Sequence, residues 1–375
     1  MAIKIVILKE TMPGERRVSL VPSVVAKFTK LGAELWMQAG AGAAIGLADS
    51  DYAGVVFEQD RLRLAAEADL LLAVQPPPAD IVRAMRPGAI LICFVYAQRQ
   101  RELVALLRDR GITCFAMELV PRISRAQSLD ALSSQAALSG YYAPLLGAVH
   151  MTRILPMMTT AVGSLRAAKV LVMGLGVAGL QALATARRLG AVTEGYDVRP
   201  ETKEQAASLG AKFVDTGVDA TGTGGYAREL TADEKERVQA ALTQHIQQAD
   251  MIVTTAAVPG RPSPKLISKT QVDGMKHGAV IVDLAAEGGG NCEYTVPDET
   301  VTVGAVTILA PTNVPSLLGE HASELYAKNQ LSLLELLIKN GTLAPDWSDE
   351  VVAGTALTHA GEITNAAARK MFENS

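Results

Sequence analysis

The chain has 375 residues, of which 49% are hydrophobic, and a formal net charge of −4 at pH 7. This length favours two domains, since a single hydrophobic core rarely grows much past ~250 residues, and the scattered lysines and arginines predict no nucleic-acid partner. Three widely spaced cysteines and five histidines that lie far apart in sequence predict neither a disulfide framework nor a metal site.

The N-terminal part alternates short apolar runs with helical segments, a pattern that predicts a parallel sheet. Helices are expected at 21–31, which Pro22 would open, and at 101–110, which Gly111 would stop. The candidate strands of this part are 3–8, 34–37, 70–74, 89–94 and 113–116.

The segment 132–155 is helix-like and is expected to carry the chain into the second domain. A polar insertion at 215–236 contains several glycines, and we expect either a functional lid or a plain surface loop there. The candidate strands of this part are 169–173, 192–197, 212–214, 251–254, 279–283 and 306–309.

The C-terminal part begins at about Ser316 with a helical segment through Leu337, which we expect to return to the first domain. The fold class predicted is therefore α/β with parallel sheets. The expected domain limits are 1–137 plus 316–375 for the first and 138–315 for the second.

A glycine-rich motif follows the first strand of the second domain. Gly174 would permit a tight turn, Gly176 would let the backbone approach a pyrophosphate, and Gly179 would let a helix pack closely on the strand. A helix that opens at about Val177 would offer free N–H groups to phosphates. Asp197, 23 residues after the first glycine, lies where a ribose hydroxyl is bound. The motif predicts dinucleotide binding, and the alternative is a tight turn that binds nothing.

The run 117–135, which contains Pro-Arg-Ile-Ser-Arg-Ala-Gln-Ser, closely resembles the NAD(H)-binding component, domain I, of proton-translocating nicotinamide nucleotide transhydrogenase. The resemblance extends over nearly the whole chain, from Lys9-Glu10 to Ala327-Lys-Asn329. It implies an α/β fold of two Rossmann-like doubly wound parallel-sheet domains, in a homodimer, with a cleft between the domains that holds NAD(H). It also implies an NADP(H)-binding partner component and a membrane-embedded proton-translocating component, and hence a cytoplasmic chain peripheral to the membrane through its partners.

The resemblance also implies which residues form the site. The loop implied to hold the nicotinamide contains Arg122, Gln127, Asp130 and Ser133. The residues implied to contact or cover the rest of the nucleotide, besides those of the glycine motif, are Asp197, Val198, Arg199, Gly225, Tyr226 and Leu266. Gly225 and Tyr226 would belong to a loop that closes over the nucleotide, and Leu266 would line the adenine side.

Residue chemistry supports the nicotinamide loop independently. Arg122 and Asp130 can pair and stiffen a loop, and the Gln127 amide can bind a carboxamide through both its donor and its acceptor. The alternative for Arg122 and Asp130 is a salt bridge that is only structural.

Two other functions compete with transhydrogenation. An alanine dehydrogenase of this architecture needs a lysine and a histidine near the nicotinamide, besides a substrate arginine that Arg17 would match. Gln75 stands where the lysine would lie, and the segment 94–96 has no imidazole, so amino-acid dehydrogenation is not expected. The missing histidine near Phe94 is also a departure from the transhydrogenase pattern, but direct hydride transfer needs no protein acid or base. The second alternative is a non-catalytic NAD(H)-binding regulatory module.

Overall fold

A computed structural model of the protein describes residues 2–221, 228–257 and 261–373. Gly225 and Tyr226, the residues of the expected nucleotide-covering loop, lie outside these ranges. The chain forms two compact units, residues 1–135 with 315–375 and residues 136–314. Within the described ranges, no helix has the length and the apolar surface needed to cross a membrane.

The N-terminal part alternates strands and helices as expected. Pro22 is the first residue of the first helix, where its missing N–H leaves no hydrogen bond unmade. The helices are α1 (Pro22–Lys30), α2 (Arg61–Glu67), α3 (Ala79–Ala84) and α4 (Arg101–Asp109). The strands are β1 (Ile3–Ile7), β2 (Ala33–Gln38), β3 (Val56–Glu58), β4 (Leu70–Leu72), β5 (Ile90–Cys93) and β6 (Thr113–Ala116).

The middle part contains the glycine-rich motif. Its helices are α5 (Ala131–His150), α6 (Val177–Arg188), α7 (Thr202–Ser208), α8 (Ala232–Gln248) and α9 (Lys269–Asp273). A hairpin precedes the sheet and is formed by β7 (Met158–Thr160) and β8 (Gly163–Leu165). The sheet strands are β9 (Lys169–Met173), β10 (Val192–Tyr196), β11 (Lys212–Phe213), β12 (Met251–Thr254), β13 (Val280–Asp283), β14 (Thr300–Val303) and β15 (Val306–Leu309).

Two expectations for the middle part are corrected. The helix expected over 132–155 ends at His150, because the hairpin follows instead. The polar insertion expected over 215–236 is shorter, because α8 begins at Ala232. Thr231 caps that helix in a capping box with Glu234, a local signal that overrides the polar character of the segment.

The C-terminal part completes the first unit. Its helices are α10 (Gly319–Leu337), α11 (Glu350–Thr355) and α12 (Ala366–Glu373). Its strands are β16 (Ile338–Lys339), β17 (Thr342–Leu343), β18 (Ala356–His359) and β19 (Glu362–Ile363). The first sheet has the order β19-β18-β6-β5-β4-β1-β2-β3, and all its strands are parallel except β18, which pairs antiparallel with both β6 and β19. The sequence analysis did not predict β3, β18 or β19.

Each sheet is covered by helices on both faces, so the predicted Rossmann-like fold class is confirmed. In the first unit, Ile5 packs with Phe28 on one face and Val6 packs with Leu64 on the other.

The second sheet has the order β11-β10-β9-β12-β13-β15-β14 and is parallel except for β14. β9 lies between β10 and β12. The chain passes from β9 outward to β10 and β11, and then crosses to β12 on the other side of β9. This topological switch point is where open α/β sheets bind ligands, at the carboxyl ends of the strands.

Candidate functional site

Gly174 makes the turn at the end of β9, and no other residue type fits there. Its φ of +93° lies in the left-handed region that disfavours side chains. A Cβ at this position would also lie 2.8 Å from Thr255 Oγ1 and 2.9 Å from the Ala256 amide nitrogen. The turn is held by its N–H, which donates to the Tyr196 carbonyl at 2.8 Å. The loop after β12 therefore packs directly on the glycine-rich turn.

The other two glycines of the motif have different roles. A Cβ on Gly179 would collide with the carbonyl oxygen of Gly174, so the close approach of α6 to β9 needs a glycine there. A Cβ on Gly176 would meet nothing within 4 Å, so the fold alone does not need a glycine at that position. Gly176 precedes Val177 at the start of α6, with no side-chain cap. The exposed helix N-terminus and the space beside Gly176 fit a bound phosphate.

Asp197 follows β10 and is held in a fixed orientation. Its Oδ2 accepts a hydrogen bond from the Leu175 amide at 2.7 Å. The Arg199 guanidinium binds both carboxylate oxygens, with Nε at 2.9 Å from Oδ1 and Nη2 at 2.8 Å from Oδ2. The acidic residue expected at the ribose is thus attached to the glycine-rich turn, and its charge is balanced by Arg199. Val198 between them packs against the core.

Three polar residues of the second unit escaped the sequence analysis. Asp283 ends β13 and Asn291 follows it, both fully buried, and Thr255 follows β12. The Leu266 amide donates to the Asn291 carbonyl at 2.7 Å, so the residue expected at the adenine belongs to the same network. The available signal was an aspartate at the end of a wholly apolar strand, followed by a run of glycines.

The loop 122–133 of the first unit contains a correction. Asp130 caps α5: it accepts hydrogen bonds from the Ser133 amide at 2.9 Å and the Ser133 hydroxyl at 2.6 Å. Within the described residues no ion pair joins Asp130 to Arg122, so the predicted pairing is wrong. A short carboxylate at the N-cap satisfies free amides of the helix, and that local interaction occupies it.

Gln127 lies on the same loop and is exposed. Its side-chain amide makes no hydrogen bond to the residues that the structure describes. The loop around it is nonetheless fixed, since Arg125 forms a bidentate ion pair with Asp349 at 2.7 and 3.0 Å. The Asn329 amide also donates to the Ser128 carbonyl at 2.8 Å. The loop thus presents the Gln127 amide at the surface, with a donor and an acceptor that a carboxamide could bind.

A buried polar cluster surrounds Arg17 in the first unit. Arg17 donates to both carboxylate oxygens of Glu15, at 2.8 and 2.6 Å, and to the Gln135 amide oxygen at 2.9 Å. The Gln75 amide also donates to Glu15, at 2.8 Å. Burial raises the pKa of Glu15, but the hydrogen bonds and charge of Arg17 outweigh it and lower the pKa to about 2. Arg17, the residue that would match a substrate arginine, is therefore paired with a carboxylate of the same unit.

Glu10, which follows β1 in the chain, lies beside this cluster and binds the backbone that follows β4. Its carboxyl oxygens accept hydrogen bonds from the backbone amides of Val74 at 2.6 Å and Gln75 at 3.3 Å. Burial away from water outweighs these bonds and raises the pKa of Glu10 to about 8.

Comparison with known proteins identifies relatives along the whole chain. Residues 6–139 match the family described as alanine dehydrogenase/PNT, N-terminal domain, and residues 143–366 match its C-terminal domain. The chain is 43% identical over 377 residues to the first part of NAD(P) transhydrogenase subunit alpha of Rhodospirillum rubrum, with 97% of this chain and 98% of the relative covered. It is 29% identical over 363 residues to alanine dehydrogenase of Mycobacterium tuberculosis, with 94% and 92% covered.

A solved structure has the same fold. The crystal structure of transhydrogenase from Sinorhizobium meliloti superposes with a TM-score of 0.87 at 43% identity, covering 96% of this chain and 99% of that chain.

Proposed function

The chain belongs to the alanine dehydrogenase/PNT family, and on that premise we propose that it is the NAD(H)-binding subunit of a proton-translocating transhydrogenase. The observation that carries the proposal is the contrast within the glycine-rich motif. Gly174 and Gly179 are required by the packing of the turn and helix, whereas the space beside Gly176 serves no contact within the protein. A ligand that brings a phosphate to the helix N-terminus explains that space.

The proposed NAD(H) site uses the residues expected from the sequence. Gly174, Gly176, Val177 and Gly179 form the turn for the pyrophosphate, and Asp197 with Arg199 binds the adenosine ribose. The proposed nicotinamide loop consists of Arg122, Gln127, Asp130 and Ser133. Two of these now have separate roles in the proposal: Gln127 binds the carboxamide, and Asp130 with Ser133 fixes the end of the loop to α5.

Bound NADH would supply a hydride to NADP⁺ held by a partner component. The chain's own contribution is then to hold and orient the nicotinamide, because the reacting carbons must approach to about 3–3.5 Å with their orbitals aligned. No side chain needs to take up a proton in that step. The buried Glu15–Arg17 pair and the neutral Gln75 amide agree with this, since neither offers a base.

We further propose that the chain acts as a homodimer with an NADP(H)-binding component and a membrane-embedded proton-translocating component. The relatives that are named as one part of a subunit alpha support a multi-subunit assembly. A regulatory NAD(H)-binding module is the second candidate, and it would apply if no NADP(H)-binding component associates. Alanine dehydrogenation is disfavoured because Gln75 stands where that reaction needs a lysine, and its amide, which donates to Glu15, offers no base.

The first test compares Gly176→Ala with Gly179→Ala. Gly176→Ala should leave the thermal unfolding temperature unchanged and weaken NADH binding about tenfold, equivalent to roughly 1.4 kcal/mol of lost phosphate contact. Gly179→Ala should instead lower the unfolding temperature, because overpacking of this kind costs about 1–3 kcal/mol. Calorimetric titration with NADH and thermal unfolding of both variants provide the measurements. If Gly176→Ala binds NADH as tightly as the parent, the pyrophosphate does not lie at this turn.

A further inference from the structure

Asn291 holds the loop that follows β12 through its side-chain amide. Its Oδ1 accepts a hydrogen bond from the Ala256 amide at 2.9 Å, and its Nδ2 donates to the Ala256 carbonyl at 2.8 Å. The same Nδ2 donates to the Pro264 carbonyl at 2.8 Å. One fully buried amide thus fixes the backbone at two points of the segment 256–264.

Asp283 holds Asn291 in turn. Its Oδ2 accepts hydrogen bonds from the backbone amides of Asn291 at 2.7 Å and Cys292 at 3.1 Å. The Thr295 hydroxyl donates to the same oxygen at 2.5 Å, and the Thr254 hydroxyl donates to Oδ1 at 2.9 Å. A buried carboxylate is costly unless such donors surround it. Its position at the carboxyl end of β13 puts this network at the ligand-binding edge of the sheet.

Thr255 connects the network to the glycine-rich turn. Its hydroxyl donates to the Gly174 carbonyl at 2.8 Å. That carbonyl is also the atom against which Gly179 packs, so its position sets the start of α6 relative to β9. Hydrogen bonds join Asp283 to Asn291 and Asn291 to Ala256, the peptide bond joins Ala256 to Thr255, and a last hydrogen bond joins Thr255 to Gly174.

We propose that Thr255, Asn291 and Asp283 are positioning residues for NAD(H), which act by fixing the glycine-rich turn against the loop after β12. This inference rests on the proposed function, since it assigns these residues to the same nucleotide site. They need not touch the nucleotide. Their effect is on binding, because a turn that moves by a fraction of an ångström presents its amides to the pyrophosphate less well.

A matched pair at Thr255 isolates the last hydrogen bond of the path. Thr255→Val keeps the shape of the side chain and removes the hydroxyl, whereas Thr255→Ser keeps the hydroxyl. Thr255→Val should weaken NADH binding about threefold to tenfold, the range that one hydrogen bond supplies. Thr255→Ser should stay within about twofold of the parent. The measurements are dissociation constants from NADH fluorescence titration and unfolding temperatures from the same preparations.

A second matched pair separates positioning from stability. Asp283→Asn changes a buried carboxylate at the carboxyl edge of the sheet. Asp250→Asn changes one at the amino edge, where Asp250 binds the Lys169 amide and the Lys276 ammonium, each at 2.8 Å. Both variants should unfold at lower temperature. Only Asp283→Asn should weaken NADH binding, by more than tenfold.

The outcomes distinguish this inference from the proposed function. If the parent chain binds no NADH, the proposed function fails. If the parent binds NADH but Thr255→Val and Thr255→Ser bind it equally well, the positioning role is overturned, even where Asp283→Asn does not fold. Equal weakening by Asp250→Asn and Asp283→Asn would also overturn it, because both would then act through general stability.

Discussion

At the scale of single residues, Gln127 has the most specific expected role. It is exposed on a loop that Arg125 and Asn329 fix, so shortening its side chain changes the reach of the amide and little else. Gln127→Asn should lower the hydride-transfer rate by about tenfold to a hundredfold, since a displacement near 1 Å can cost about 10². The dissociation constant for NADH should change far less, because contacts at the adenosine end remain.

Single-turnover hydride transfer in the reconstituted complex, together with NADH titration, tests this expectation. A rate within about twofold of the parent, or a rate loss that only follows weaker binding, would remove Gln127 from the nicotinamide site. Arg125→Lys provides a control for the loop itself, since it loses the bidentate pair with Asp349 without changing Gln127.

Glu10 gives the first unit a stability that depends on pH. Its pKa in the folded chain is raised to about 8, and in the unfolded chain it returns to the ordinary carboxyl value. The folded state therefore holds a proton that the unfolded state releases, and stability falls as the pH rises from about 5 through 8. Burial also raises the pKa of Glu118, so Glu118 likewise makes the folded state less stable as the pH rises. Glu15, whose pKa is lowered, loses its contribution only in acid, as the pH falls toward 2.

Glu10→Gln should accordingly reduce the decline in stability between pH 5 and 8 without abolishing it, because Glu118 still contributes to that decline. Urea unfolding of the parent and the variant at several pH values measures the slope. An unchanged slope in Glu10→Gln would show that Glu10 titrates normally in the folded chain.

At the scale of secondary-structure elements, Asp130 of the proposed nicotinamide loop caps the N-terminus of α5. Asp130→Ala removes the cap and should destabilise the chain by about 0.5–2 kcal/mol. Asp130→Asn keeps an oxygen that can accept from Ser133 and should cost much less. Chemical denaturation of both variants provides the comparison. Equal destabilisation by the two substitutions would mean that the charge of Asp130, and not its capping bond, holds the helix.

The elements that could be predicted are those with a local pattern. Strands such as Lys169–Met173 and Thr113–Ala116 have the predicted limits, because a continuous apolar run between turn residues marks a buried parallel strand. The glycine-rich motif also consists of residues close together in sequence, and α6 begins at Val177 as expected. The site assignments themselves stay predictions.

The features that were missed depend on residues distant in sequence. β18 is four residues long and joins the sheet only because β6 offers an edge to it. The Asp283–Asn291 network consists of contacts between the ends of neighbouring strands, which no spacing in the sequence reveals. The Arg122–Asp130 pairing was wrong for a different reason: Asp130 accepts hydrogen bonds from Ser133 at the start of α5, and the spacing of charges does not show where that helix begins.

At the scale of the whole molecule, the proposed function requires a second nucleotide site, and the sequence offers no second glycine-rich fingerprint of comparable quality. The isolated chain should bind NADH and show almost no hydride transfer to NADP⁺, and adding an NADP(H)-binding component should restore transfer. Spectrophotometric assays of the chain alone and of the mixture measure this. Efficient exchange between NADH and an NADP⁺ analogue by the purified chain alone would contradict the proposal, and no gain on mixing would favour the regulatory module.

The return of the chain to its first sheet has a consequence for biosynthesis. Residues 136–314 form a contiguous unit, which can fold while the ribosome is still adding the last part of the chain. The unit that is translated first must wait, because α10 and β18 come from the last part. Until then β6 is a bare strand edge, which invites pairing with other chains. We therefore expect the second unit to complete its fold before the first, although the first unit begins the chain.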